Sequence, residues 1–88
     1  MARPTRCRRV CSEPSCRSFT PQAGAGSGLV ALTVDEYEAV RLVDYEKLTH
    51  EQCAAHMAIS RTTVTEIYES ARFKISDSLV NGKALVIS

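Results

Sequence analysis

Residues 49–70 read THEQCAAHMAISRTTVTEIYES, and no other stretch restricts the fold as tightly. Small or apolar residues recur there as Cys53, Ala54, Met57, Ile59, Val64 and Ile67, with Ser60, Arg61, Thr62, Thr63 and Thr65 between them. With His50 as the first position of a helix-turn-helix, Ala54 is fifth, Ala58 ninth and Val64 fifteenth. Cys53, Met57, Ile59 and Ile67 take the fourth, eighth, tenth and eighteenth places. The fifth position lies where two helices approach closely, and the others form the wedge between them. The ninth opens the turn, often at φ > 0, where glycine is usual. Ala58 would cost on the order of 1 kcal/mol in a left-handed backbone there.

Capping signals delimit the helices. Thr33 with Glu36 three residues later forms a capping box, and Tyr37, Val40 and Val43 follow at helical spacing. This predicts a first helix from Val34 to about Tyr45, with Glu36, Glu38 and Arg41 on its wet side. Thr49 with Gln52 opens a helix of about eight residues ending near Met57. Ser60 with Thr63 opens a third, running from Arg61 towards Val80, where Asn81-Gly82 ends it. The closing KALVI is apolar and β-branched and reads as a short strand.

Length and composition set outer limits. Eighty-eight residues allow one domain, and a chain of this size buries only roughly 60–65% of its unfolded surface. Five aromatics and no tryptophan suit a small helical domain. No apolar run reaches the roughly 18 residues of a membrane span. The basic N-terminus has no apolar segment behind it, as a signal peptide requires. The expected compartment is therefore cytoplasmic, where the four cysteines stay reduced or bind metal.

The net charge of +1 hides an asymmetry. Residues 1–28 carry Arg3, Arg6, Arg8, Arg9 and Arg17 against Glu13, whereas residues 29–88 hold six basic and nine acidic side chains. A basic arm on an acidic body suggests an anionic partner for the arm. The glycines at 24, 26 and 28 mark a linker, which divides residues 1–28 from a domain at 29–88. Their spacing fits neither the dinucleotide nor the Walker phosphate loop.

On the third helix Val64, Ile67 and Ala71 face inward, with Ile75 or Phe73. Arg61, Thr62, Thr65, Glu66, Glu69 and Arg72 face outward, beside Ser60 and Thr63 of the first turn. The first turns of such a helix enter the major groove of double-stranded DNA. Arg61 there suits guanine O6 and N7, and the threonines suit bases or phosphates. Glu66 and Glu69 would repel phosphates unless one meets cytosine N4 or pairs with Arg61 or Arg72. The arginines of the arm suit phosphates or an adjacent minor groove.

Cys7, Cys11 and Cys16 form a C-x3-C-x4-C series that could take zinc or act as a redox sensor, although it lacks the tight CxxC knuckle. Cys53 serves as a small hydrophobe of the wedge. Cys53, His56 and Glu51 share one short helix that must pack, so no nucleophile, base and orienting acid assemble and an enzyme is not expected.

The segments ARPTRCRRVCSEP and FTP, LTVDEYEAVRLVDYEKL and SRTTVTEIYESARFKISDSLVNGKAL resemble uncharacterised protein family 0251, also called domain of unknown function 134. The resemblance covers almost the whole chain. It implies a DNA-binding protein with a helix-turn-helix similar to region 4 of sigma-70 factors, and hence transcriptional regulation. The matching elements are Leu32-Thr33, Leu48-Thr49, Ile59 to Val64 and Ala71-Arg72. Cys16, where the family tends to carry an aromatic or aliphatic residue, and the Gly-rich AGAGSG depart from its pattern. The expected architecture is mainly α: a three-helix helix-turn-helix domain with a long third helix, a basic arm and a C-terminal strand. A homodimer is expected from the exposed edge of KALVI, with pairing to RRV of the same chain as the rival. Docking on RNA polymerase, as region 4 surfaces do, is the alternative function.

Overall fold

The computed structural model describes residues 13–24, 26 and 28–88. Strands β1 (Ser18–Phe19) and β2 (Leu29–Leu32) precede helix α1 (Val34–Val40), which continues as a π turn over Arg41–Tyr45. Helices α2 (His50–Met57) and α3 (Arg61–Asn81) follow, and β3 (Ala84–Ile87) closes the chain. The described chain is mainly helical with one small sheet.

Each cap read from the sequence is made. Thr33 and Glu36 bond reciprocally, as do Thr49 and Gln52, and the Ser60 hydroxyl accepts from the Thr63 amide at 3.1 Å. These side chains satisfy amides that no preceding carbonyl can reach. Gly82 ends α3 in the left-handed region at φ 66°, its amide donating to the Ser78 carbonyl. Ala58 ends α2 in the same conformation, at φ 59° and ψ 44°. The first helix reaches Tyr45 as expected, but its last turn widens, and the Glu46 amide bonds to Arg41 O at 2.9 Å. That wider turn keeps Leu42 in the core while Asp44 reaches α3.

The core has two parts. Ala39, Leu42, Cys53, Ala54, Met57 and Val64 are buried where α1, α2 and α3 meet, with Ile59 and Ile67 packed against them. Leu32, Ala71 and Ile87 are buried between α3 and the sheet, with Tyr37, Val40 and Leu85 alongside. Strand β3 is central: it pairs antiparallel with β1 and parallel with β2, Val30 opposite Leu85 and Leu32 opposite Ile87. Both of its edges are filled, so the exposed edge expected at KALVI is not there. The pairing surface proposed for a homodimer is taken by Ser18–Phe19 and Leu29–Leu32, and RRV lies outside the described residues. Strand β2, Leu29–Leu32, is not among the elements expected from the sequence. Through β1, residues assigned to the arm join the sheet of the body.

The wet side expected for α1 is also corrected. Glu38 is fully buried and Glu36 is 7% exposed. Isolated buried carboxylates are costly, and both are met by fixed partners. Arg41 clamps Glu38 in a fork, Nε to Oε1 at 3.0 Å and Nη2 to Oε2 at 2.9 Å. Glu36 accepts from the Ser70 hydroxyl at 2.6 Å, from Lys74 Nζ at 2.9 Å and from its own cap amide at Thr33. Burial pushes the Glu36 carboxyl up, but Ser70, Thr33 and Lys74 together hold it below its ordinary value.

Candidate nucleic-acid interface

Helices α2 and α3 are joined by Ala58, Ile59 and Ser60 alone. The left-handed Ala58 reverses the chain, its amide still bonded to Ala54 O and Ala55 O. Ile59 then packs against the core and Ser60 caps α3. Val64, fully buried, and Ile67 fix which face of α3 turns inward. Ile75, not Phe73, continues that face, since Phe73 is 72% exposed. The opposite face starts from the exposed Arg61 and Thr62.

The eight expected contact residues of the turn and α3 divide sharply. Ser60 and Thr63 bond to one another, hydroxyl to hydroxyl, at 2.7 Å. Thr65 donates to the Arg61 carbonyl at 3.1 Å and lies 3.0 Å from His50 Nδ1. With the hydroxyl hydrogen used on that carbonyl, the ring nitrogen is the donor, which assigns the proton to Nδ1. Arg72 Nε donates to Tyr68 Oη at 3.0 Å, Tyr68 Oη donates to Asp44 Oδ1 at 2.7 Å, and Arg72 lies 3.5 Å from Asp44 Oδ2. The Arg72 guanidinium carbon is 5.5 Å from the Tyr68 ring centre, and the His50 ring meets the same ring edge-on at 5.1 Å. The Asp44 bond pushes the Tyr68 hydroxyl up, and the Tyr68 bond does the same for Arg72.

Arg61, Thr62, Glu66 and Glu69 remain. All four are exposed, and none has a side-chain partner among the described residues. A hollow of about 490 Å³ lined by Thr49, His50, Glu51 and Arg61 lies at the N-terminal ends of α2 and α3. Sequence reasoning missed Asp44, His50 and Tyr68, which hold α3 to α1 and α2. Only the Tyr68–Arg72 spacing of four residues was a signal, because the other partners lie 15 and 24 residues apart.

Arg3, Arg6, Arg8, Arg9, Cys7 and Cys11 lie outside the described residues. Cys16 is exposed, and its thiol donates to Ser18 O at 3.1 Å. Cys53 is buried, and burial, with Glu38 nearby, pushes its thiol up. Among the described residues no three His, Cys, Asp or Glu side chains converge as metal ligands. No helix among them is long and apolar enough to cross a membrane.

A family model described as protein of unknown function DUF134 matches residues 1–88. A UPF0251 protein of Desulfitobacterium hafniense is 49% identical over 89 residues, covering 99% of this chain and 71% of the relative. One from Thermoanaerobacter pseudethanolicus is 51% identical over 87 residues, covering 97% of this chain and 74% of its own. A third, from Syntrophobacter fumaroxidans, is 47% identical over 89 residues, and the chain spans 57% of its length. No solved structure matches the chain.

Proposed function

The chain belongs to the DUF134 family, and we propose that it is a cytoplasmic DNA-binding transcriptional regulator, a binder and not an enzyme. In this reading α2, the turn at Ala58 and α3 act as a helix-turn-helix of the sigma-70 region 4 kind, with the first turns of α3 in the major groove. One observation carries it. The N-terminal end of a helix braced by α1 and α2 presents an exposed, uncommitted guanidinium and hydroxyl, Arg61 and Thr62. A major groove admits one α-helix and offers guanine O6 and N7 to such an arginine. Arg3, Arg6, Arg8 and Arg9 are assigned to phosphates or a minor groove. A homodimer remains part of the proposal, since two α3 helices about 34 Å apart would meet successive major grooves. Its contact must lie away from the paired edges of β3.

Salt titration of binding to random duplex DNA tests the reading, because affinity falls with salt in proportion to the phosphates neutralised. Absence of salt-dependent binding rejects it. Arg61→Ala should cost about 1–3 kcal/mol on a specific site, whereas removal of Arg8 and Arg9 should weaken all DNA alike. Equal losses for Arg61→Ala on specific and random DNA would deny that residue a base contact.

The exposed apolar side chains of α3 favour a second reading. Phe73, Leu79 and Val80 are 72%, 78% and 80% exposed, as befits a module that docks on RNA polymerase. Such a module would bind random duplex DNA hardly at all.

A further inference from the structure

Four of the eight contact residues expected on the turn and α3 are already bonded inside the protein. Thr63 and Ser60 hold each other, Thr65 is tied to His50 and to the helix backbone, and Arg72 is tied to Tyr68 and Asp44. Of those still uncommitted, Thr62 and Glu66 are four residues apart, one turn along the same outward stripe. At about 1.5 Å per residue they are about 6 Å apart along the axis, within reach of neighbouring base pairs.

A carboxylate is unusual on a face meant for DNA. Glu66 is exposed, has no cation partner among the described residues, and is an acceptor only. Against phosphates it is repelled, so on this face it is tolerated only where a base supplies a donor. Two bases present an amino group in the major groove. Adenine sets the acceptor N7 beside its N6, which turns away the second carboxylate oxygen. Cytosine offers N4 with no acceptor of its own beside it.

We propose that Glu66 determines specificity by accepting a hydrogen bond from cytosine N4, next to the base pair met by Thr62. This inference rests on the DNA-binding reading and names the base it selects. Glu66 thereby also weakens non-specific binding, since every site lacking that cytosine leaves a bare carboxylate facing the duplex.

Selection from a pool of random duplexes with the parent, Glu66→Gln and Glu69→Gln tests it, with helicity measured for each. The parent should enrich a motif containing one C·G pair preferred on the order of ten-fold over the alternatives. Glu66→Gln should lose that preference and move towards adenine, whose N6 and N7 suit an amide, while binding random duplex more tightly. Its helicity should be unchanged, because the side chain touches nothing in the fold. Retention of the parent motif by Glu66→Gln overturns the assignment, as does loss of the cytosine preference in Glu69→Gln instead. Failure of the parent to enrich any motif rejects the DNA-binding reading itself, and this inference with it.

Discussion

The two halves of α3 use one helix in opposite ways. From Arg61 to Ser70 the polar side chains divide between bonds to α1, α2 or the helix itself and an open outward face, while Val64 is sealed in the core. From Ala71 to Asn81 the inner face packs on the sheet, and the outer face shows the apolar Phe73, Leu79 and Val80. The first half is therefore oriented by specific partners on α1 and α2, and the second is held by apolar burial, by Lys74 and Arg72, and by the bonds of Asp77 and Ser78 to Lys83. Lys74 spans to Glu36 and to Ala31 O, both at 2.9 Å. Orientation matters where bases are to be read, because a hydrogen bond tolerates little misalignment. It matters less where a surface offers only apolar area.

The contrast predicts unequal costs of substitution. Met57→Ala should be the most damaging, at about 3 kcal/mol, since the side chain is fully buried beneath the first half of α3. Chemical denaturation giving a loss below about 1 kcal/mol would mean that this corner is loosely packed, and the comparison would break. Tyr68→Phe should cost about 1 kcal/mol by leaving Asp44 and Arg72 without their shared hydroxyl. Under the proposed DNA-binding function it should also lower specific DNA affinity more than random affinity. A variant with parent stability and parent specificity would show that the first half is oriented by apolar contacts alone.

Ala58→Gly tests the turn that sets the angle between α2 and α3. Relief of the left-handed alanine is worth about 1 kcal/mol and is partly offset by the greater freedom of unfolded glycine. A net gain of about 0.5 kcal/mol in thermal or denaturant unfolding is expected. A loss would indicate that the Ala58 methyl contributes packing that outweighs its strain. Smallest of all, Phe73→Ser and Val80→Ser should each change stability by less than about 0.5 kcal/mol, because both side chains already face solvent. A cost approaching that of Met57→Ala would show that the second half of α3 is covered in solution, and concentration-dependent sedimentation would locate the cover in a second copy.

Part of the candidate site was legible before the fold was seen. Arg61, Thr62, Glu66 and Glu69 follow directly from helix periodicity once Val64 and Ile67 are placed inward, and the structure leaves all four exposed. Thr65 and Arg72 obey the same periodicity but also bond to His50 and to Tyr68. Helical spacing gives a direction around the axis. It does not say which neighbouring element lies within bonding distance.

The sequence by itself determined the three helices, their caps and the turn between α2 and α3. Each depends on contacts only three or four residues apart: Thr33 with Glu36, Thr49 with Gln52, Ser60 with Thr63, and the Gly82 amide with Ser78. Such contacts are written in the local order of residues and need little help from the rest of the chain. The tertiary structure alone decided the sheet, because β3 meets β2 only after three helices have been laid down between them. It likewise decided that Glu36 and Glu38 are buried, against the ordinary preference of carboxylates for water. For Glu36 the compensating groups are Ser70 and Lys74, more than 30 residues away. For Glu38 the fork of Arg41 was available locally, but whether that pair faced water or the core depended on what packed over it.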